Sequence, residues 1–568
     1  MRVLLIIPKF FYPDAAPVPE LFPQGVAYVA GALLAAGHDV TGCNISYTRT
    51  KESAPELLRR ALSRKIAAFQ PQAIALGGLT PDYLFISDAI MICRDLAPDV
   101  PVILGGGIVT ADQEFIFSNL RPDFAIAGEA EIPIVELLAA IETGGDMGTI
   151  GGLAFWRNGG PVLNPARPES KILPEYALPN YDVLDIEEFF QASSHYDADS
   201  VMCFHPRPRL FTFSAGRSCP FRCTFCFHSN GSIYKQRKIS KVLEEIAHFK
   251  EKHDFNCFIM YDELFSVNEA RVREFCDGMR ALKMDLKWTC SMRVPDVTED
   301  LLRDMKDAGC PSIALGLESA SNVILTSMQK KITRKQIEAA VTAVEASGIG
   351  LRGAFIFGDP AETPETMKET INFILDNKRH IFSLGPILPT PGTSLFNNAL
   401  SKNIIPSKKE YYETLHQGVF YNMTSIPTDQ FVTLLRGGSD AFSDTMSLGH
   451  TEDLLFLVNR PARDLDEYPR ASIVFKIQCP YCGEKMDRIY NYPKEANVDE
   501  LISSLNDKRY LTCSSCSRVM IAKPGSHKSI IVNVVFEGRD VPTYQSLEKG
   551  YLDFTSAAQK STPIENSR

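Results

Sequence analysis

The feature that most restricts this chain is the run LFTFSAGRSCPFRCTFCFH, Leu210 to His228. FTFS reads as a strand, and a loop bearing Cys219, Cys223 and Cys226 follows it directly. Three thiolates in this C-x3-C-x2-C spacing can hold three irons of a cubane cluster and leave the fourth iron without a protein ligand. A structural zinc is the plainer reading of a cysteine cluster, but zinc takes four N or S ligands. Here only His228 offers a fourth.

Downstream, strand-like NCFIMYDE (256–263), LKWTCSMR (286–293), SIALGLES (312–319), LRGAFIFG (351–358) and FSLGPILP (382–389) alternate with amphipathic helical segments. With FTFS this makes six β/α units, a partial parallel barrel whose active site belongs at the carboxyl ends of its strands. Asp262, Glu263, Arg293, Glu318, Ser319, Gly358 and Glu362 fall at those ends. A polar residue ending a strand is more often a helix cap or a solvated turn. Recurrence on strand after strand points to a site instead.

The first ~150 residues repeat a βα alternation. VLLIIP, DVTGCNI, AIALGGL, VPVILGGG and FAIAGE read as strands, and GVAYVAGALLAAG as a helix. Continuous apolar strands between helices predict a doubly wound parallel sheet with its crevice beyond the strand carboxyl ends. Gly77, Gly78, Gly105, Gly106, Gly107 and Gly128 each follow a strand. Such glycines either end the strand or let backbone approach a large ligand closely.

The cysteine loop closely resembles the radical S-adenosylmethionine (AdoMet) family. The resemblance implies a [4Fe–4S] cluster on Cys219, Cys223 and Cys226, with AdoMet on the open iron and cleaved to a 5′-deoxyadenosyl radical. It puts Phe225 near the adenine, Asp262 and Glu263 near the AdoMet amino group, and Arg293, Glu318 and Ser319 near its ribose and carboxylate. Glu362 joins this cofactor-binding set.

Residues 1–140 resemble the cobalamin-binding domain of B12-dependent radical AdoMet proteins, through PQGVAYVAGALLAAGHDV, GGLT (77–80), LGGGIVT (104–110) and GEAE (128–131). This implies cobalamin held by Gly78, Thr80, Gly105, Gly106, Gly107, Gly128 and Glu129. The Asp-x-His-x-x-Gly motif for cobalt is absent, and His38 lies at a helix-to-strand turn, so cobalt is not expected to be ligated by a histidine of that motif. PTPGTSLFNNAL (389–400) resembles the PxPGT segment of such proteins, with the physical content of a rigid turn.

Near the C-terminus, Cys479-x2-Cys482 and Cys513-x2-Cys516 supply two pairs that complete a tetrahedral S4 site. A structural zinc ribbon is the expectation, with rubredoxin-like iron or an auxiliary Fe–S cluster as alternatives. Seven of the fourteen cysteines fall in these motifs, which in a reducing cytosol mean metal more often than disulfide. The other seven sit mostly in apolar stretches, where a free Cys behaves as a small buried hydrophobe.

The expected organisation is therefore α/β: a cobalamin-binding-like Rossmann-type domain over 1–145, a linker over 146–208, and a radical AdoMet barrel over 209–400. A helical extension over 401–470, a zinc-ribbon-like domain over 471–550 and a disordered tail over 551–568 follow. The formal charge of −10 argues against a broad nucleic-acid surface. No apolar run reaches the ~18 residues of a membrane span, and no secretory signal opens the chain, so a cytoplasmic protein is expected.

By resemblance the function is C-methylation of an unactivated carbon on a small molecule or lipid: one AdoMet methylates cob(I)alamin, a second supplies the radical, and a flavodoxin- or ferredoxin-type donor supplies electrons. A radical cyclase or rearrangement enzyme would use the same cofactors. A methylthiotransferase needs three N-terminal cysteines for a second cluster, and residues 1–150 hold only Cys43 and Cys93. A non-enzymatic binding role would leave the intact triad and the strand-end polar set unexplained.

Overall fold

The computed structural model describes residues 1–8, 21–46, 53–193 and 209–445, except 169, 172, 174, 175, 232, 378 and 379, and short segments within 450–540. Its first sheet is built from β1 (Arg2–Ile7), β2 (Asp39–Asn44), β3 (Ala73–Gly77), β4 (Val102–Gly105), β5 (Phe124–Ile126), β6 (Leu153–Arg157) and β7 (Gly160–Leu163). The order is β2-β1-β3-β4-β5-β6-β7, parallel through β5 and antiparallel thereafter. Five residues of β1 are buried, as a strand covered on both faces requires. The covering helices are α1 (Gln24–Ala35), α2 (Ala54–Phe69), α3 (Tyr83–Leu96), α4 (Gly107–Ala111), α5 (Gln113–Leu120) and α6 (Glu131–Thr143). The stretch 146–208, expected to be a linker, contributes the β6–β7 hairpin to this sheet and then α7 (Ile186–Ser193).

The second sheet holds β8 (Leu210–Phe213), β11 (Cys257–Met260), β12 (Lys287–Met292), β13 (Ser312–Glu318), β14 (Gly350–Phe357) and β15 (Ile381–Pro386), in that spatial order and all parallel. Between β8 and β11 lies a two-residue antiparallel pair, β9 (Gly216–Arg217) with β10 (Lys235–Gln236), which closes the base of the cysteine loop. Helices α8 (Ile239–His253), α9 (Glu269–Leu282), α10 (Glu299–Asp307), α11 (Asn322–Ser327), α12 (Arg334–Ser347) and α13 (Pro364–Asp376) complete the β/α alternation. Helices α14 (Ser394–Ser401), α15 (Lys408–Thr414) and α16 (Thr428–Thr445) follow.

The two α/β units share one apolar core. Tyr181, from the stretch expected to be a linker, packs its ring 4.7 Å from Phe211 of β8 and 5.2 Å from Phe249 of α8. Phe22, before α1, meets Tyr181 at 5.6 Å. Tyr412 of α15 returns to the first unit and stacks on Phe115 at 4.9 Å. Cys479, Cys513 and Cys516 lie outside the described residues, and Cys482 is exposed.

Candidate active site

Glycine loops at the carboxyl ends of β3 and β4 form one wall. A Cβ on Gly106, whose φ is +86°, would sit 2.8 Å from both the nitrogen and the carbonyl oxygen of Gly78. The two loops therefore touch backbone to backbone, and Ile108 N donates to Gly78 O at 3.0 Å. The immediate reason for glycine at 106 is this loop-on-loop packing, whereas a Cβ on Gly78 would meet the Asp82 side chain, its Oδ2 at 2.6 Å. Gly105 and Gly128 are different: a Cβ on the first meets only Ile126 O at 3.9 Å, and on the second nothing within 4 Å. Thr80 is buried, and Thr110 Oγ1 accepts from Gly128 N at 2.9 Å, tying the β5 loop to α4.

The cysteine loop stands opposite. It is pinned by Thr224 N donating to Met328 O (3.0 Å), Leu395 N donating to Thr224 O (3.1 Å) and Ser218 Oγ donating to Gly231 O (2.8 Å). Its Phe227 ring meets both neighbours. A Cβ on Gly107 would lie 3.4 Å from Phe227 Cε1, and one on Gly392 would lie 2.8 Å from Phe227 Cδ2 and Cε2. The ring occupies a slot left by Gly392 of the PTPGT turn and lies beside Gly107 of the first unit, where a Cβ would meet Leu79 Cδ2 first, at 2.7 Å.

All three cysteines are free thiols. Desolvation by the surrounding loop, reinforced by Glu263 and by Cys223 and Cys219, pushes the surface-exposed Cys226 thiol up to about 12, and desolvation also raises the half-buried Cys219. Thiols crowded beside one another and a carboxylate need added positive charge to ionise, which coordinated iron supplies. Among the described residues no three His, Cys, Asp or Glu side chains converge on a single ion. A cubane does not ask for that, because each cysteine takes a different iron. The donor set fits the cluster.

Around the triad the structure gathers part of the expected set. Phe225 is partly buried against the apolar core. Glu263 Oε2 lies 2.7 Å from His228 Nδ1, and His228 Nε2 is buried with no partner. The Arg293 guanidinium lies 3.4 Å over the ring of Phe221 and donates to the carbonyl of Lys330. Glu318, at φ +62° on a bulge of β13, pairs with Lys330 Nζ at 2.7 Å. A non-glycine residue in that region is strained, and such strain collects at functional sites.

Other expected residues bond to groups of the chain itself. Asp262 Oδ1 accepts from Ala215 N (2.7 Å) and Ser214 Oγ (3.1 Å), and burial pushes its carboxyl up to about 7. Ser319 Oγ lies 3.0 Å from Thr370 Oγ1 and accepts from Ser321 N. Glu362 accepts from Gly358 N (3.0 Å) and Thr366 Oγ1 (2.8 Å), and burial pushes it up to about 7. Glu129 accepts from Arg217, Lys235 and Tyr176.

His228, Phe227, Phe221, Lys330 and Arg217 were not singled out from the sequence as members of this set. Phe227 had one signal, since the glycine at 392 in the PTPGT motif marks a place where something bulky must fit. His38 meets the terminal nitrogen of Met1 at 3.0 Å, at the amino-terminal end of the sheet and away from the crevice. A groove of about 550 Å³ lined by Pro101, Phe124, Ile141 and Trp156 also opens at that far end. Cys43 and Cys93 are buried, and burial pushes both thiols up to about 12.

Comparison with known proteins agrees with this geometry. Residues 213–374 match the radical SAM superfamily and residues 15–138 the B12 binding domain. An uncharacterized methyltransferase of Pyrococcus horikoshii is 28% identical over 415 residues, covering 71% of this chain and 84% of its own. The anaerobic magnesium-protoporphyrin IX monomethyl ester cyclase of Rubrivivax gelatinosus is 27% identical, covering 70% and 69%. The radical AdoMet methyltransferase TsrM of Kitasatospora setae, solved with cobalamin and a [4Fe-4S] cluster, superposes with a TM-score of 0.57 at 18% identity, covering 71% of this chain and 78% of that one. The chain thus carries a radical SAM domain. More closely, it joins that domain to a B12-binding domain that precedes it.

Proposed function

We propose that this chain is a cobalamin-dependent radical AdoMet methyltransferase acting on an unactivated carbon of a small-molecule or lipid metabolite. The observation that carries the reading is the approach of Phe227, one residue past the cysteine triad, to Gly107 at the start of α4 in the first unit, which sets the two proposed cofactor-binding walls against each other. When bound, the cluster with AdoMet supplies a carbon-centred radical and cobalamin supplies a methyl group.

The chain's own residues hold and orient. Cys219, Cys223 and Cys226 hold the cluster, with Phe225 beside the adenine. Glu263, oriented by His228, offers an acceptor for the AdoMet amino group. Arg293 and the strained Glu318 face its carboxylate and ribose. Gly105 and Gly128 leave the open backbone that a corrin needs, while Gly78, Gly106 and Gly107 shape the loops beneath it. An external flavodoxin- or ferredoxin-type protein delivers the electron. At the C-terminus, the two Cys-x2-Cys pairs fall between strands of two antiparallel hairpins, 471–478 with 485–492 and 509–512 with 519–522, an arrangement that favours one structural zinc.

The test is anaerobic purification with cobalamin supplied, followed by reconstitution, a visible spectrum, and iron, sulfide, cobalt and zinc analysis. A cluster spectrum with one cobalt and one zinc per chain is expected. Cluster without cobalt removes the methyl-transfer reading. The similarity to an anaerobic cyclase favours one second reading, a radical cyclisation with the same cofactors. Product mass separates the two, because methylation adds one CH2.

A further inference from the structure

Arg217 and Lys235 stand directly opposite each other on the β9–β10 ladder, at the two ends of the excursion that carries the cysteine triad. Two cations facing each other across strands repel, and a two-residue ladder has little else to hold it. Their partners come from the other domain. Arg217 donates to Glu131 Oε1 at 2.5 Å and to Glu129 Oε1 at 3.2 Å, while Lys235 Nζ meets Glu129 Oε2 at 3.2 Å. The Tyr176 hydroxyl donates to the same carboxylate at 3.1 Å, and the guanidinium lies 5.0 Å from the ring centres of both Tyr28 and Tyr176. The Glu131 and Lys235 side chains are each 6% exposed, so solvent screens this cluster only weakly.

We propose that Glu129 and Glu131 are positioning residues that close the stem of the cysteine loop from the neighbouring domain. Docking of the B12-binding domain and ordering of the cluster-bearing loop are then one event, which fixes the register between the two cofactor sites. The carboxylate of Glu129, expected from resemblance to face cobalamin, is taken up by the cysteine-loop stem. The cofactor half of this proposal rests on the reading of the triad as cluster ligands; the stem half does not.

The test is hydrogen exchange on the iron-free full chain, followed by the rate of iron loss to a chelator from the reconstituted protein. Glu129→Gln leaves Lys235 buried without its carboxylate. Amides of residues 216–218 and 233–236 are expected to exchange about tenfold faster, with those of β12 and β13 unchanged. Iron is expected to leave several-fold faster. Adding Lys235→Met removes the unpaired cation and is expected to return exchange toward the wild-type rate, a rescue that lost packing alone would not give.

Unchanged exchange in Glu129→Gln overturns the proposal, as does a double variant worse than the single one. Should Glu129→Gln fail to fold, Lys235→Met alone decides. It relieves the repulsion while Arg217 keeps both carboxylates, so a stem no looser than wild type supports the proposal and a loosened stem overturns it. A wild-type protein that takes up no cluster overturns the functional reading instead, and the exchange result then stands alone.

Discussion

Two buried carboxyls show how single residues set the pH response. Glu362 and Asp262 are both pushed up to about 7 by burial, from ordinary values near 4. The folded state therefore holds protons that the unfolded chain has released between about pH 4.5 and pH 7. The stability each group contributes is fully present below its unfolded pKa and is lost as pH rises through 7. The melting temperature is accordingly expected to fall from pH 5.5 to pH 8. Glu362→Gln keeps an acceptor for Gly358 N and removes one titration, so its melting temperature is expected to fall less over that range. The gain at pH 8 is at most about 3 kcal/mol, read from denaturation at both pH values. A variant slope equal to wild type would mean that Glu362 ionises freely.

Among the elements, the PTPGT turn and α14 bear directly on the cysteine loop. Thr393 caps α14 by accepting from Phe396 N at 3.1 Å, so Thr393→Ala is expected to cost about 1 kcal/mol in urea denaturation. Gly392 is more sensitive: at φ +88° with the Phe227 ring 2.8 Å from its missing Cβ, Gly392→Ala is expected to cost about 2–3 kcal/mol. Phe227→Leu in the same background should recover only the steric part, measured as a coupling energy in a double-mutant cycle. A purely additive cycle would show that Phe227 does not fill the slot.

The elements themselves were legible in the sequence, because apolar runs of strand length alternating with amphipathic helices leave little choice but parallel sheets. The β6–β7 hairpin was not, since the four-residue GPVL strand at the sheet edge opens on Gly-Pro and is too short to show an apolar period. Nor could the sequence tell which strand-end carboxylates face the triad. Asp262 and Glu263 are adjacent, yet one bonds the end of β8 and the other meets His228, a division set by strand pairing and invisible in spacing.

For the whole molecule, the cofactor sites are separable while the fold is not. The triad hangs from β8 and the glycine loops from β3 and β4, so damage to one site need not empty the other. Cys226→Ala removes one of the three proposed cluster ligands and is expected to abolish the iron–sulfur absorbance while cobalt content stays near one per chain. Gly106→Val forces a branched side chain into a left-handed backbone 2.8 Å from Gly78, and is expected to lose cobalt while keeping iron. Yet one apolar cluster joins Val3 and Leu5 of β1 to Phe211, Trp288 and Phe355 of the second sheet. Two cores would melt apart, but a shared core must be exposed all at once. Calorimetry of the cofactor-free chain is expected to give one transition for residues 1–445, shared by probes in both sheets. Two resolved transitions, each confined to one sheet, would show that the interface is an ordinary domain contact and that the register between the sites depends on the bound cofactors.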